Sequence, residues 1–336
     1  MRPSCQPAAP HHEARGRQQP MLSAMNAQTI LLLAASALFA WSMGSHYTGA
    51  VMGGAYGAGV LSARRAQLLG AGFAIIGSVT ASLNVIDTYA NGLVVPHSRV
   101  DIAAAQLSAA LVTTASTYFK LPTSTIQIYA FSLLGVALVG GIPIHAQGFE
   151  FVVLGWAAGP VIAALLGYML AKFGLGWARK GQPVLKWLLI GASIYSAFTL
   201  GSNDVSNAAS SLVAAHLLSP RLAGLWGGVF MAFGVLTWGR KLLERIGRDI
   251  LKLDVPLAAT AQFSQAAVVT VLNVVGYNAS INQTIVGGLA GAGLAAAPDK
   301  LDRSMLRKIV LNWVWSPLMG TSSAALACWL LRMTFR

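Results

Sequence analysis

Apolar runs separated by short polar or basic stretches repeat along most of the chain. They cover residues 29–44, 66–87, 101–119, 123–141, 151–173, 185–209, 222–238, 256–276, 278–297 and 309–331. A helix needs about 20 mostly apolar residues to cross the hydrocarbon of a bilayer. The pattern therefore predicts an all-α integral membrane fold of about ten segments. Several runs are short or rich in Gly and Ser, which fits broken helices and helical hairpins as well as full crossings.

The runs fall into two sets of five that repeat each other. Residues 44–62 align with 201–219 at an offset of 157. Ala105-Gln106-Leu107-Ser108 matches Ala261-Gln262-Phe263-Ser264 at 156, and Ser124 falls on Ser280 at the same 156. Trp156 with Pro160 returns as Trp313 with Pro317 at 157. An odd number of segments per half turns the second half upside down relative to the first, and inverted repeats with broken helices are a secondary-transporter architecture. The expected division is a disordered tail at 1–27, a first membrane repeat at 28–174, a basic cytoplasmic linker at 175–184 and a second repeat at 185–336.

Composition agrees with this class. The 336 residues are 55% apolar and 10% charged, against roughly 25% charged for a soluble domain. A net charge of +13 would imply nucleic acid in a soluble chain. Here the basic residues lie in loops, so the expected partner is the lipid bilayer and not nucleic acid. If all ten runs cross, 16 of the 23 Lys and Arg fall on one side and 7 on the other. The richer side is cytoplasmic by the positive-inside rule, which puts both termini outside a cell inner membrane. Cys5 and Cys328 give no disulfide framework. The run 240–252 has an amphipathic pattern and is expected to lie along the cytoplasmic surface.

Residues 201–208, Gly-Ser-Asn-Asp-Val-Ser-Asn-Ala, set an acid among small polar residues inside an apolar run. A carboxylate at bilayer depth is costly and marks a functional site by default. Asp204 is read as the only deeply embedded acid, held at an ion-binding helix break. With Asn203 and Asn207 it offers hard oxygen ligands for Na⁺ or a transferable proton. No other metal site and no cofactor is expected, and with neither a second acid nor a Cys–His pair in the spans an enzyme is excluded. Pro122 followed by Thr123, Ser124 and Thr125 reads as a helix N-terminus, and Asn278, Ser280 and Asn282 occupy the matching place. Two opposed N-termini would aim positive dipole ends and neutral donors at one tetrahedral oxyanion. His46 and Tyr47 stand at the repeat positions of Asn203 and Asp204 and can donate to the same anion. Gln106 and Gln262 are matched amides within spans and form a second rank. The glycines between 53 and 59 read as close helix packing, not as a nucleotide loop.

The 201–208 segment resembles the Gly-Ala-Asn-Asp-Val-Ala-Asn-Ala motif of the inorganic phosphate transporter (PiT) family. The likeness spans about residues 30–331 and includes loose matches at 123–127 and 279–284 to the family's Ser-Thr-Thr-containing hairpins, plus Trp-x-x-x-Pro in each half. The first-half copy departs from the motif, with His46-Tyr47 for its Asn-Asp pair. Gln127 and Gln283 stand where a His usually follows the hairpin motif. The resemblance implies an ion-coupled symporter of inorganic phosphate working by alternating access, with a sulfate permease as the alternative and a passive anion channel as a third reading. It also implies a homodimer.

Overall fold

The computed structural model describes residues 26–92, 98–119, 121, 123–174, 182–245, 255–296, 298 and 303–335. The expected tail up to residue 25 and residues 175–181 of the linker lie outside these. Among the described residues the structure is helical, with no β-strand.

In the first half α1 spans Ala27–Gly57, α2 Ala63–Thr80, α3 Leu83–Gly92, α4 Arg99–Tyr118, α5 Thr125–Gly140 and α6 Ala146–Met169, which ends in a π turn, Leu170–Gly174. In the second half α7 spans Gln182–Thr199 and passes through the π turn Leu200–Asp204 into α8, Val205–Ala214. There follow α9 at Pro220–Thr237, α10 at Arg240–Arg245, α11 at Val255–Val274, α12 at Ile281–Ala296 and α13 at Arg303–Thr334. The boundaries repeat at the offsets seen in the sequence. Helix α2 plus 157 gives the limits of α9; α4 and α5 plus 156 give those of α11 and α12.

Contacts repeat in the same way, and they cross between the halves. Helix α1 packs on α9 while α7 packs on α2; α5 packs on α13 while α12 packs on α6. Glycines set the first pair of seams. A side chain on Gly44 would strike the Met231 carbonyl, and one on its equivalent Gly201 the Ala74 carbonyl, itself the equivalent of Met231. Gly234 meets the Trp41 carbonyl and Gly77 the Phe198 carbonyl by the same relation. Small residues let membrane helices approach to backbone contact, where dispersion and Cα–H contacts replace the absent hydrophobic drive.

Among the described residues six helices are long and apolar enough to cross a membrane, or seven if α2 and α3, bent by 67° at residues 81–82, count as one. Helices α5 and α12 have only 16 residues each and are largely buried, so neither counts as a full crossing, and the expected ten segments are not confirmed. Helix α1 runs 13 residues past the expected end at Gly44, since its Gly, His and Tyr are buried and their backbone groups must be bonded within the helix. The expected surface helix is also different. Of 240–252 only Arg240–Arg245 is described as helix, with 246–252 outside the described residues, and Leu242 and Leu243 are buried in contact with the protein.

A second acid is buried. Asp101, at the start of α4, is 1% exposed and takes a bidentate pair of bonds from Arg332 at 2.8 and 3.0 Å. The expectation of a single embedded acid overlooked it because it stands at the edge of its apolar run.

Candidate functional site

The 201–208 segment is not a helix break. It is a π turn, Leu200–Asp204, inside a continuous helical stretch from 183 to 214. The wider turn changes where side chains point. Consecutive residues on an α-helix do not face each other, yet Asn203 Nδ2 donates to Asp204 Oδ2 at 2.9 Å. π turns are frequent at functional positions for this reason.

The two hairpin tips meet. Ser124 caps α5 by accepting from Gln127 N at 3.4 Å, and Ser280 accepts from Gln283 N at the same 3.4 Å. Asn282, in the first turn of α12, donates to the Thr123 carbonyl just before α5 at 2.7 Å. The positive ends of α5 and α12 therefore converge in the core, as the sequence predicts. Thr123, Ser124, Thr125, Asn278, Ser280 and Asn282 are all buried.

The motif helices grip these tips in matching ways. Asn203 Nδ2 donates to the Ala279 carbonyl at 2.7 Å, while Ala279 N donates back to Asn203 Oδ1 at 2.9 Å. His46, the equivalent of Asn203, sets Nε2 at 3.2 Å from the Thr123 carbonyl and 3.2 Å from Asn282 Nδ2. Its Nδ1 pairs with the Thr117 hydroxyl at 2.9 Å, so both ring nitrogens have partners. Tyr47 pairs its hydroxyl with Thr125 Oγ1 at 2.9 Å and accepts from Thr125 N at 3.2 Å. Asp204, fully buried, faces the hydroxyls of Tyr47 and Thr125, and its Oδ1 has no hydrogen-bond partner. Since 47 and 204 are equivalent positions, their contact lies where the two repeats meet.

Asn207 is placed differently from expectation. Its Oδ1 accepts from Asn278 Nδ2 at 3.0 Å, and Asn278 also donates to Ser206 Oγ at 3.1 Å. Asn203 and Asn207 thus sit beside Asp204 but use their oxygens to brace the second tip. Gln106 and Gln262 are braces too. Gln106 Nε2 donates to the Asn207 carbonyl and Gln262 Nε2 to the Val51 carbonyl, each at 2.7 Å, tying each half's hairpin to the other half's motif helix. Gln262 also approaches Gly54 too closely to leave room for a larger residue there, in keeping with the packing role read for the glycines.

Thr117, Tyr89 and Asn273 were missed. Asn273 donates to Ser202 Oγ at 2.9 Å, and Tyr89 is buried within the electrostatic range of Asp204. A Thr or Tyr in an apolar run gives no sequence signal of its own; Asn273 gave one, as an amide inside a span.

No group of three or more metal-ligating side chains occurs among the described residues. Comparison with known proteins follows the same lines as the geometry. A putative phosphate permease of Methanocaldococcus jannaschii is 28% identical over 83% of this chain and 89% of its own. Sulfate permease CysP of Bacillus subtilis is 26% identical over 85% of this chain and 83% of its own. A solved structure titled "The sodium-dependent phosphate transporter" shares the fold with a TM-score of 0.83 at 22% identity, covering 92% of this chain and all of that one. The family model described as "Phosphate transporter family" matches residues 43–178 and 174–324. With a model matching nearly all of the helical chain, a transporter fold and paired tips in its core, the protein belongs to the phosphate transporter family and is not an enzyme.

Proposed function

We propose that the chain carries inorganic phosphate across the cytoplasmic membrane by alternating access, coupled to a cation held at Asp204. The observation that supports this most is the meeting of two capped helix N-termini, through Asn282 and Thr123, beside a buried carboxylate with a free oxygen. The N-termini suit the anion; Asp204 Oδ1 suits the cation. Na⁺ is the leading ion, since it takes neutral oxygens beside one carboxylate and the solved structure of the same fold is titled sodium-dependent.

Phosphate is favoured over sulfate by the unpaired atoms of the core. Gln127 Oε1, Gln283 Oε1 and Asn278 Oδ1 are buried acceptors without partners. Near neutral pH phosphate brings at least one O–H donor and sulfate brings none, so sulfate would leave these acceptors unpaired. Sulfate remains the second reading, favoured by the donors His46 and Tyr47 and by the likeness to a sulfate permease. Competition in reconstituted vesicles tests the substrate: labelled phosphate uptake should saturate, resist excess sulfate and stop when the Na⁺ gradient is collapsed. Accumulation of sulfate without competition by phosphate would overturn the phosphate assignment, and uptake that ignores every ion gradient would favour a channel.

A further inference from the structure

The two repeats give the molecule two related positions for a cation, and only one of them keeps its ligands. We propose that His46 and Tyr47 fix the coupling ratio at one cation per oxyanion, by filling the second position with side chains that cannot hold a cation. This inference rests on the cation role of Asp204 in Proposed function.

The position at Asp204 is built from both halves. Asp204 faces the hydroxyls of Tyr47 and Thr125, Asn203 bonds its Oδ2, and Asn207 follows in the next turn. The repeat offsets of 157 and 156 carry Asp204 onto Tyr47, Asn203 onto His46, Asn207 onto Ala50 and Thr125 onto Ile281. A carboxylate becomes a phenol and an amide an imidazole, while a second amide and a hydroxyl become hydrocarbon. All four replacements are buried. Na⁺ takes hard oxygen ligands, and a charge at bilayer depth needs a partner. The substituted position has no carboxylate and only one side-chain oxygen, that of Tyr47.

The imidazole has no lone pair to offer a cation. The Thr117 hydroxyl donates to the Thr113 carbonyl at 2.8 Å, so it can only accept from His46 Nδ1 at 2.9 Å. In the neutral ring the proton is therefore on Nδ1, and Nε2 carries the lone pair. That lone pair accepts from Asn282 Nδ2 at 3.2 Å, while the other hydrogen of the same amide goes to the Thr123 carbonyl at 2.7 Å. The phenol is engaged too. Tyr47 Oη accepts from Thr125 N at 3.2 Å and pairs with Thr125 Oγ1 at 2.9 Å. The His46 and Tyr47 rings pack edge to face with centroids 5.4 Å apart. These bonds brace the first tip against α1, as Asn203 braces the second against the π turn. Both tips thus stay in place for the anion, with a single cation beside them.

Counting labels in vesicles tests this. Labelled Na⁺ and labelled phosphate (or sulfate, where that is the anion taken up) are followed together in reconstituted wild-type protein. The flux ratio should be one Na⁺ per anion. With voltage and pH difference held at zero, a tenfold Na⁺ gradient should accumulate the anion no more than about tenfold, since the gradient counts once per cation. Equilibrium binding in detergent should give one Na⁺ per chain, and none in Asp204→Asn. Two Na⁺ per anion, accumulation near about a hundredfold, or Na⁺ binding that survives Asp204→Asn would overturn the inference and leave coupled transport standing. Anion uptake without any Na⁺ movement would sink both. The ligands can also be restored: His46→Asn, Tyr47→Asp and Ile281→Thr together should raise the ratio from one towards two. A triple variant that transports and still moves one Na⁺ per anion would show that these residues do not set the ratio; if it does not transport, the wild-type count decides.

Discussion

Asp204 has one oxygen bonded by Asn203 and one free. Replacing it by Asn nearly preserves volume and removes the cation's charge partner. Asp204→Asn is expected to abolish gradient-driven uptake while the protein still reaches the membrane; wild-type rates in vesicles would refute the assignment. Ser124 and Ser280 cap their helices, and the same hydroxyls lie where the two tips converge. A cap alone is worth about 1 kcal/mol of stability. A lost hydrogen bond to a bound anion costs about 1.5–3 kcal/mol of affinity. Ser124→Ala and Ser280→Ala should therefore each raise the apparent Kd for phosphate at least tenfold, whereas a change confined to melting temperature would reduce both to caps. At this scale the sequence was legible wherever a polar residue was out of place. Asp204, Asn203, His46 and the tip residues all stood out against apolar neighbours. Tyr89 and Thr117 did not, because either residue is ordinary in a membrane helix until its neighbours are known. Asn207 and the two glutamines were found as candidate ligands, but their bonding partners, the Asn278 amide and the Asn207 and Val51 carbonyls, became visible only in the fold.

Helices were legible as elements but not in their limits. The apolar runs located most of them, though not α3 as a separate helix, while the ends depended on tertiary burial. Helix α1 continues through Gly, His and Tyr because its partners leave no water to bond an unwound backbone. The sequence announced Asn, Asp and Gly at 201–204 as a break, and the chain instead widened the helix into a π turn, keeping its backbone bonded. Glycine seams set how close α1 and α9, and α7 and α2, can come. A β-branched residue at Gly44 or Gly201 must push two backbones apart. Gly44→Val and Gly201→Val are expected to cost at least 1–3 kcal/mol, the usual penalty of overpacking. Gly191→Ala, in the open at the middle of α7, should be neutral or stabilising by up to about 1 kcal/mol through helix propensity. Melting curves in detergent check the contrast; similar losses at all three positions would remove the close-approach argument.

At the scale of the molecule, the duplication was the most legible property, because element boundaries repeat at the offsets of the sequence matches. One departure from it is the ion pair. Asp101 and Arg332 join α4 to α13, whereas the equivalent of Asp101 in the second half is Leu257, itself buried. A buried pair is weak evidence for stability, but removing one partner strands the other. Arg332→Leu should destabilise the protein by leaving the Asp101 carboxylate unpaired, and Asp101→Leu together with Arg332→Leu should recover most of the loss. A double variant no better than the single one would show the charge itself to be needed.

The seams between halves also bear on the time course of assembly. Helix α5 finds its packing partner α13 only after nearly the whole chain has been made, and α1 meets α9 about 160 residues after its own insertion, reading from their positions in the chain. Contacts so distant in sequence form slowly, since loop closure precedes any gain. Through synthesis of the second half, the first holds its polar tip and glycine faces unpartnered in the bilayer. Helix α13, which closes the first hairpin, is made after every other described helix.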